Sequence, residues 1–570
     1  MKKRILKIFI SAILTLVFAG VFFYITLPAI NLQSDTFWMY LFYCVAFYIA
    51  SYVIMTVFSE AKQNKNIKFD LKLKKSPAII ISAIALSIPL AILGIGTLFS
   101  STFFHANAYS SIIEVPEADF AEDMPETEVV NNIALMDTNT AIIMGERTLG
   151  DLIDVVSQYK ISVNYKQINY KGTPQKTSTL EYVDFFKWLT NRKNGIPGYV
   201  MVDPVNAVTK ANYIEFSKPI KYSESGFFGD DLMRKLRFSY PTKIFGNCSF
   251  EIDEEGNPFY IVACMKPKVA MFGAYDVNEV IIFDPVSGES ELKALKDVPS
   301  WVDNVFTGTL ASQKYDWYGT LKNGYWNSVI GNRDCKVTTD DYGYIVIGDD
   351  VWFYTGVTSV TSDESNIGFI ISNARTGEYK FYRISGAEEY SAMDSAQGEI
   401  QEKGYVASFP SLINVSGEAT YIMVLKDSSG LVKLYALVNV KNHAIVETGS
   451  TQLEAKQKYL ERLRTEGIID RIPENTQGSD VAEVNIEISD IKVYTIGGES
   501  VFYITSADGQ IYKQRLCDDE GLVLLKSGNK LKIKYKANNN SEENILIREI
   551  ISFMILPEES ELDTTTNKME

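Results

Sequence analysis

The chain has 570 residues, with 55 Lys and Arg against 71 Asp and Glu, and a formal net charge of −16. The charge is unevenly spread: residues 1–104 hold ten bases and three acids, leaving 45 bases and 68 acids for the rest. That balance argues against nucleic acid as a partner, because a phosphate backbone demands net positive charge. With only two histidines, His105 and His443, most His-based catalysis and metal ligation drop out as well.

Three apolar runs open the chain, at 8–30, 37–58 and 78–99, each of 22 or 23 residues without a charge. A bilayer core of about 30 Å takes roughly 20 helical residues, so each run is long enough to cross. The first also exceeds the roughly 7–15 apolar residues of a signal peptide. Lys2, Lys3, Arg4 and Lys7 precede it, and the following loop carries Asp35 and no base. The loop after the second run holds Lys62, Lys65, Lys68, Lys72, Lys74 and Lys75. Positive charge stays on the cytoplasmic side. The expectation is a multi-pass protein of the cell membrane, with its N-terminus in the cytoplasm and residues 105–570 extracytoplasmic. The lipid bilayer is then its first partner. Apart from a thiol and tyrosines, nothing ionisable interrupts the runs, which speaks against a transporter. Pro89, Gly94 and Gly96 read as helix-packing positions in the third run.

At about 150 residues per domain the remainder has room for roughly three. Residues 106–146 lack Lys and Arg and crowd seven acids between Glu114 and Glu128, which reads as a solvated acidic linker over 105–146. An α+β region follows over 147–240, with helices expected at 145–158 and 178–192 and a strand at Gly198-Tyr-Val-Met-Val-Asp203, ended by Pro204. From 241 a pattern recurs: hairpin, second hairpin, helix. Unit 1 covers 241–306, with turns at Gly256 and Gly288 and a helix from Pro299. Unit 2 covers 339–404, with turns at Gly348 and Gly377 and a helix opened by Ser385-Gly-Ala-Glu388. Unit 3 covers 405–466, with turns at Gly417 and Asn442 and a helix opened by Thr451-Gln-Leu-Glu454. The two helix openings have the capping-box spacing. The marker spacings move together from unit to unit, so the reading is three quasi-repeats of a β-meander plus helix. Between units 1 and 2, an insertion at 307–338 holds Tyr315, Trp317, Tyr318, Tyr325 and Trp326. Of these, Trp317, Tyr318, Tyr325 and Trp326 are the candidate contact with a glycan or a protein partner. The alternative is that they pack as core.

A linker at 467–482 leads to short strands over 483–556, expected to form a small β-barrel of OB-like type. Lys530, Lys532, Lys534 and Lys536 fall on one face of one strand, either simply solvated or facing an anionic wall polymer. The tail at 557–570 is expected to be disordered. The fold class is α+β: three N-terminal transmembrane helices, the meander-plus-helix quasi-repeats, then the barrel. Four of the five cysteines lie outside the apolar runs, too few for a disulfide scaffold. Cys248 and Cys264 flank the Gly256 hairpin, where a one-residue change of register decides whether they meet.

Gly198–Asp203 with Pro204, Phe283-Asp-Pro-Val-Ser-Gly-Glu289 and Ser372-Asn-Ala-Arg-Thr-Gly-Glu378 resemble the strand–turn–strand of PepSY-type modules. That resemblance implies small extracytoplasmic α+β units with roles in protease inhibition or localised protein contact. Asn439-Val-Lys-Asn-His443 of unit 3 departs from it, lacking the Gly-Glu. Arg147-Thr-Leu-Gly150, Phe238-Ser-Tyr-Pro241 and Tyr390-Ser-Ala-Met393 are similar to an uncharacterised family of Gram-positive-type multi-pass membrane proteins. No functional residue carries over from that family.

No metal cluster, phosphate loop or nucleophile–His pairing is legible, so no catalytic, cofactor or metal residues are assigned. The function expected is a non-catalytic, membrane-anchored extracytoplasmic binding or scaffold protein of the cell envelope. Its partner would be another envelope protein or a cell-wall polymer. The alternative is a carboxylate-dependent hydrolase of wall polymer, drawing on Asp253, Glu254, Glu255, Asp340, Asp341, Asp349 or Asp350.

Overall fold

A computed structural model describes residues 2–61, 77–127, 133–205, 211–360, 365–470, 481–496, 499–516, 520–536 and 547–555. The six lysines from Lys62 to Lys75, most of the expected 467–482 linker and the 557–570 tail lie outside the described residues. Two compact units divide the chain, Met1–Ile469 and Asp470–Glu570.

The first unit begins with helices α1 (Lys2–Thr26), α2 (Asp35–Ala61) and α3 (Pro77–Phe99). Each is long and apolar enough to cross a membrane. The first apolar run is longer than its helix: Leu27 takes a left-handed backbone, φ 48°, so residues 27–30 turn out of α1. Phe18 stacks on Phe47 at 4.1 Å, and Tyr40 donates to Ala19 O, joining α1 to α2. A short helix, α4 (Thr102–Ser110), follows α3 directly.

Four antiparallel sheets follow, each containing a four-strand meander. In the first, Lys166–Tyr170, Thr173–Tyr182, Ile196–Val202 and Asn212–Ile220 pair in order. In the second the strands are Ile244–Ile252, Pro258–Val269, Gly273–Phe283 and Ser290–Ala294. The third has Gly343–Ile347, Asp350–Ser359, Gly368–Asn373 and Tyr379–Tyr382. The fourth has Ser411–Val415, Glu418–Lys426, Val432–Asn439 and Val446–Gly449. The expected turn glycines Gly256, Gly288, Gly348, Gly377 and Gly417 all have positive φ, the conformation a side chain resists.

One contact recurs at the turn between the third and fourth strands. The side-chain oxygens of Asp203, Asp284, Asn373 and Asn439 accept from Val205 N, Val286 N, Arg375 N and Asn442 N at 2.8–2.9 Å. The next residue's carbonyl then holds an earlier segment. Pro204 O accepts from Leu135 N and Met136 N, Pro285 O from Lys221 N and Tyr222 N, and Ala374 O from Val305 N and Phe306 N. In the fourth sheet Val440 O accepts from Ala387 N alone.

Several sequence expectations need correction. Residues 178–182 belong to a strand, and only Phe185–Asn191 is helical, capped by Asp184. Helix and strand preferences differ by a few tenths of a kcal/mol per residue, whereas burying Leu180 and Tyr182 against the first sheet's core gains about 2 kcal/mol each. Upstream, the helix runs over Thr138–Gly150 and is followed by a short Ile153–Val156 turn of helix. No helix starts at Pro299. The amide groups of Asp303 and Asn304 are taken by Glu251 and those of Val305 and Phe306 by Ala374 O, so no helical ladder can form. The helix is Gly308–Leu321, within the expected insertion. The helix Glu389–Glu399 is capped by Glu388, not Ser385. Thr451 does cap Gln452–Thr465, while Glu454 reaches back to Ser450 N rather than to Thr451.

The acidic stretch is not a solvated linker. Phe120 and Met124 sit in the core between the third and fourth sheets, and Glu117–Ala118 adds a parallel strand beside Phe381 and Tyr382. Three of its acids find cations: Glu117 with Arg383, Asp123 with Lys380, and Asp137 with Lys426.

In the second unit five strands, Val481–Ile496, Glu499–Ser506, Ile511–Arg515, Ile547–Ile555 and Lys530–Lys536, pair in a circuit that returns to the first. The expected strand at 522–525 is instead a 3-10 turn, Glu520–Leu524. Leu531 and Ile533 point inward and Lys530 and Lys532 outward, as alternation required.

Candidate functional site

The helix Gly308–Leu321 starts at Thr307, whose hydroxyl accepts from Leu310 N. It runs very close to the strand Lys336–Thr338: a Cβ on Gly319 would sit 2.3 Å from Lys336 O. Glycine therefore sets the separation at which Tyr318 and Lys322, from the helix, meet Lys336 from the strand.

Between them opens a groove of about 430 Å³, lined by Tyr315, Tyr318, Lys322, Lys336, Phe381 and Arg383, with the carboxylates of Glu117 and Asp334 also in its wall. Lys322 Nζ lies over the Tyr318 ring at 5.6 Å, and Lys336 Nζ over the Phe381 ring at 5.0 Å. Arg383 binds Glu117 through two hydrogen bonds, 2.7 and 2.9 Å. That contact holds the Glu117 carboxyl below its usual range and raises the guanidinium. Burial, and next the neighbouring Arg383 cation, push the Lys336 ammonium below its usual value. Among the described residues no carboxylate lies in ion-pair distance of Lys322 or Lys336. Cations seated on aromatic faces, with one positive charge depressed by its neighbours, make a site for an anionic group attached to a ring or chain that lies on the aromatics.

The four aromatics named from the sequence divide. Trp317 packs edge-on against Tyr109 at 5.0 Å, and Tyr109 donates to Ser100 O at 2.6 Å, so Trp317 belongs to the joint between α3, α4 and the sheets. Tyr318 lines the groove. Tyr325 and Trp326 leave the helix and meet Phe103 of α4 at 5.1 and 5.9 Å.

The turn acids named as hydrolase candidates are engaged locally. Asp253 accepts from Glu255 N and from Asn257. Asp341 accepts from Tyr342 N, and Asp350 holds Arg375 and Asn373. Glu254, Glu255, Asp340 and Asp349 are exposed.

The carboxyls that do come together are Glu251 and Asp303, both buried. Glu251 accepts from Asp303 N at 2.8 Å and Asn304 N at 2.9 Å. Asp303 Oδ2 accepts from Asn169 N at 2.7 Å, while its Oδ1 has no partner. Burial first, and then their mutual repulsion, raise Asp303; burial raises Glu251 to about 7. They tie the first sheet, the second sheet and the 298–306 segment together, shut away from any cleft. A third buried acid, Glu389, accepts from Gly356 N at 2.7 Å. Nothing in the local pattern marks these acids, since the 249–252 end of the strand holding Glu251 and nearly all of the strand holding Gly356 are buried on both faces.

Cys248 and Cys264 are both free. Cys248 pairs with Val262 and Cys264 with Phe245 across a bulge, so both thiols face one core without facing each other. Among the described residues no His, Cys, Asp and Glu group could hold a metal ion. Comparison with known proteins finds no matching family model and no matching curated protein.

Proposed function

We propose that this is a membrane-anchored binding or scaffold protein of the cell envelope, whose extracytoplasmic sheets present the Tyr318–Lys322–Lys336 groove to an anionic wall polymer. The observation that carries the reading is how the sheets sit on the helices. Ile30 N donates to Pro241 O, Tyr275 OH to Gln33 O, and Met271 N and Phe272 N to Ser100 Oγ. All these contacts fall at the C-terminal ends of α1 and α3 or in the α1–α2 loop. The sheets therefore lie at the end of the helices away from the start of α1, the end of α2 and the start of α3, and the positive-inside rule assigns the Lys-rich sequence joining the last two to the cytoplasm.

The recurrent Asx turn and its docked carbonyl support reading the sheets as successive copies of one unit. They also shift its phase: each unit opens with its helix, and the first sheet supplies a fourth copy. Such short α+β units fit the PepSY-like resemblance. In the second unit, the strand order first–second–third–fifth–fourth–first supports the OB-like reading. So does the long first strand bulged at Ile488/Asp490, which pairs with two others.

Binding of the full chain, held in detergent micelles, to purified anionic wall polymer tests the proposal, with a neutral polysaccharide as the comparison. Affinity for the anionic polymer should fall about tenfold or more in Lys322→Glu/Lys336→Glu. Equal binding of the two polymers, or an unchanged affinity in the double variant, would refute it.

A further inference from the structure

Beside the outer ends of α1 and α3, the sheets expose two groups of large apolar side chains that a water-facing surface has no use for. The first surrounds the turn Asn327–Gly331, where Trp326 is 64% exposed and Ile330 73% exposed. Trp326 is held against Phe103, four residues after the end of α3. The second lies beside the end of α1. There Phe228 is 55% exposed and Phe238 58% exposed, and Phe186, 73% exposed, joins Phe228 through the Phe185 ring that both meet. Phe238 packs on Phe23 and Tyr24 of the last turn of α1, at 5.9 and 6.3 Å.

Arg234 fixes the level of this second group. Its Nη1 donates to Phe228 O at 2.8 Å, its Nε donates to Tyr24 O, and its guanidinium lies 4.3 Å over the Tyr24 ring. Phe228 also has φ +53°, a conformation unfavourable for a bulky residue and maintained here with its ring turned outward. Lys187 follows Phe186 in the chain, while Arg192 lies over the Trp188 ring and pairs with Asp230.

We propose that these two groups form a two-point seat in the headgroup layer of the same bilayer that α1–α3 cross, with Trp326 and Ile330 at one point and Phe186 and Phe228 at the other. The chemistry fits that partner. The indole of Trp326, apolar with one polar edge, favours the interface between hydrocarbon and water, the wholly apolar side chains of Ile330, Phe186 and Phe228 suit the boundary between headgroups and acyl chains, and Lys187 suits anionic lipid headgroups. Continuity decides for lipid over a protein partner, because both groups touch residues in or immediately after the spans. The seat would hold the base of the sheets at the membrane and fix the direction in which the groove opens. It is independent of what the groove binds.

The test uses the full chain in bilayer nanodiscs of phosphatidylcholine and phosphatidylglycerol, with lipids brominated near the glycerol end of the chains or left unbrominated. Subtracting the fluorescence of Trp326→Phe from that of the wild type isolates Trp326. Subtracting the wild type from Phe228→Trp isolates the second point. Bromination should reduce both difference signals about twofold or more. Two difference signals indifferent to bromination would overturn the seat, and quenching at one point alone would overturn its two-point form.

Discussion

Glu389 begins the helix Glu389–Glu399 and is fully enclosed between the third and fourth sheets. Burial, opposed only in part by hydrogen bonds from backbone amides and Thr339, lifts its carboxyl from 4.5 to about 7. Because the folded value lies above the unfolded one, the folded chain keeps a proton that the unfolded chain releases. Its contribution therefore falls as pH rises from about 4.5 to about 7 and is level beyond that. At about 1.4 kcal/mol per pH unit the full span amounts to about 3 kcal/mol, as an upper figure. Glu389→Gln removes the titration while keeping an oxygen to accept from Gly356 N. Whatever the new amide costs is the same at every pH and cancels from the comparison. Thermal unfolding of wild type and variant in the same detergent, at pH 5, 6, 7 and 8, reads the effect. The variant should gain on the wild type by up to about 3 kcal/mol between pH 5 and pH 8, a relative shift in Tm of roughly 3–4 °C for a cooperative unit of this size. Curves that stay parallel to within about 0.5 kcal/mol over that range would refute the assignment of a neutral buried acid at this position.

Lys314 and Asp276 form a buried ion pair at 2.9 Å. Lys314→Met should destabilise by about 3–5 kcal/mol by stranding the carboxylate, and Asp276→Leu added to it should recover most of that loss, both read as Tm. Gly96 lets the Phe272 ring lie where a Cβ would be only 2.5 Å away. Gly96→Leu should lift the 269–273 turn off Ser100 and speed its amide hydrogen exchange about tenfold, with α3 still formed. Trp317→Ala should cost about 3 kcal/mol through the lost packing on Tyr109. Trp326→Ala should change the Tm in detergent by less than the equivalent of about 0.5 kcal/mol, since its ring is largely exposed.

Local pattern alone determined the three long apolar helices, the hairpins at Gly256, Gly288, Gly348, Gly377 and Gly417, and the alternation that turns Lys530 and Lys532 outward. In each case the cause acts within a few residues: uniform apolarity over a span, a positive φ that only glycine takes readily, or the two-residue period of a strand. Tertiary structure decided what depends on partners distant in sequence. Residues 298–306 stay out of helix because Glu251 and Ala374 take their amides, and Leu180 lies in a strand because the first sheet has a core to fill there. Glu117, Asp123 and Asp137 are drawn in by Arg383, Lys380 and Lys426, more than 240 residues away. The four aromatics of the expected contact site are a concentration of ring surface legible in the sequence. Whether each joins, lines or protrudes depends on α4 and on Lys336, which meet the helix only after folding. Propensity and periodicity describe a segment's own preferences, while burial and hydrogen-bond completion of 1–3 kcal/mol per group are settled by whatever the rest of the chain places against it.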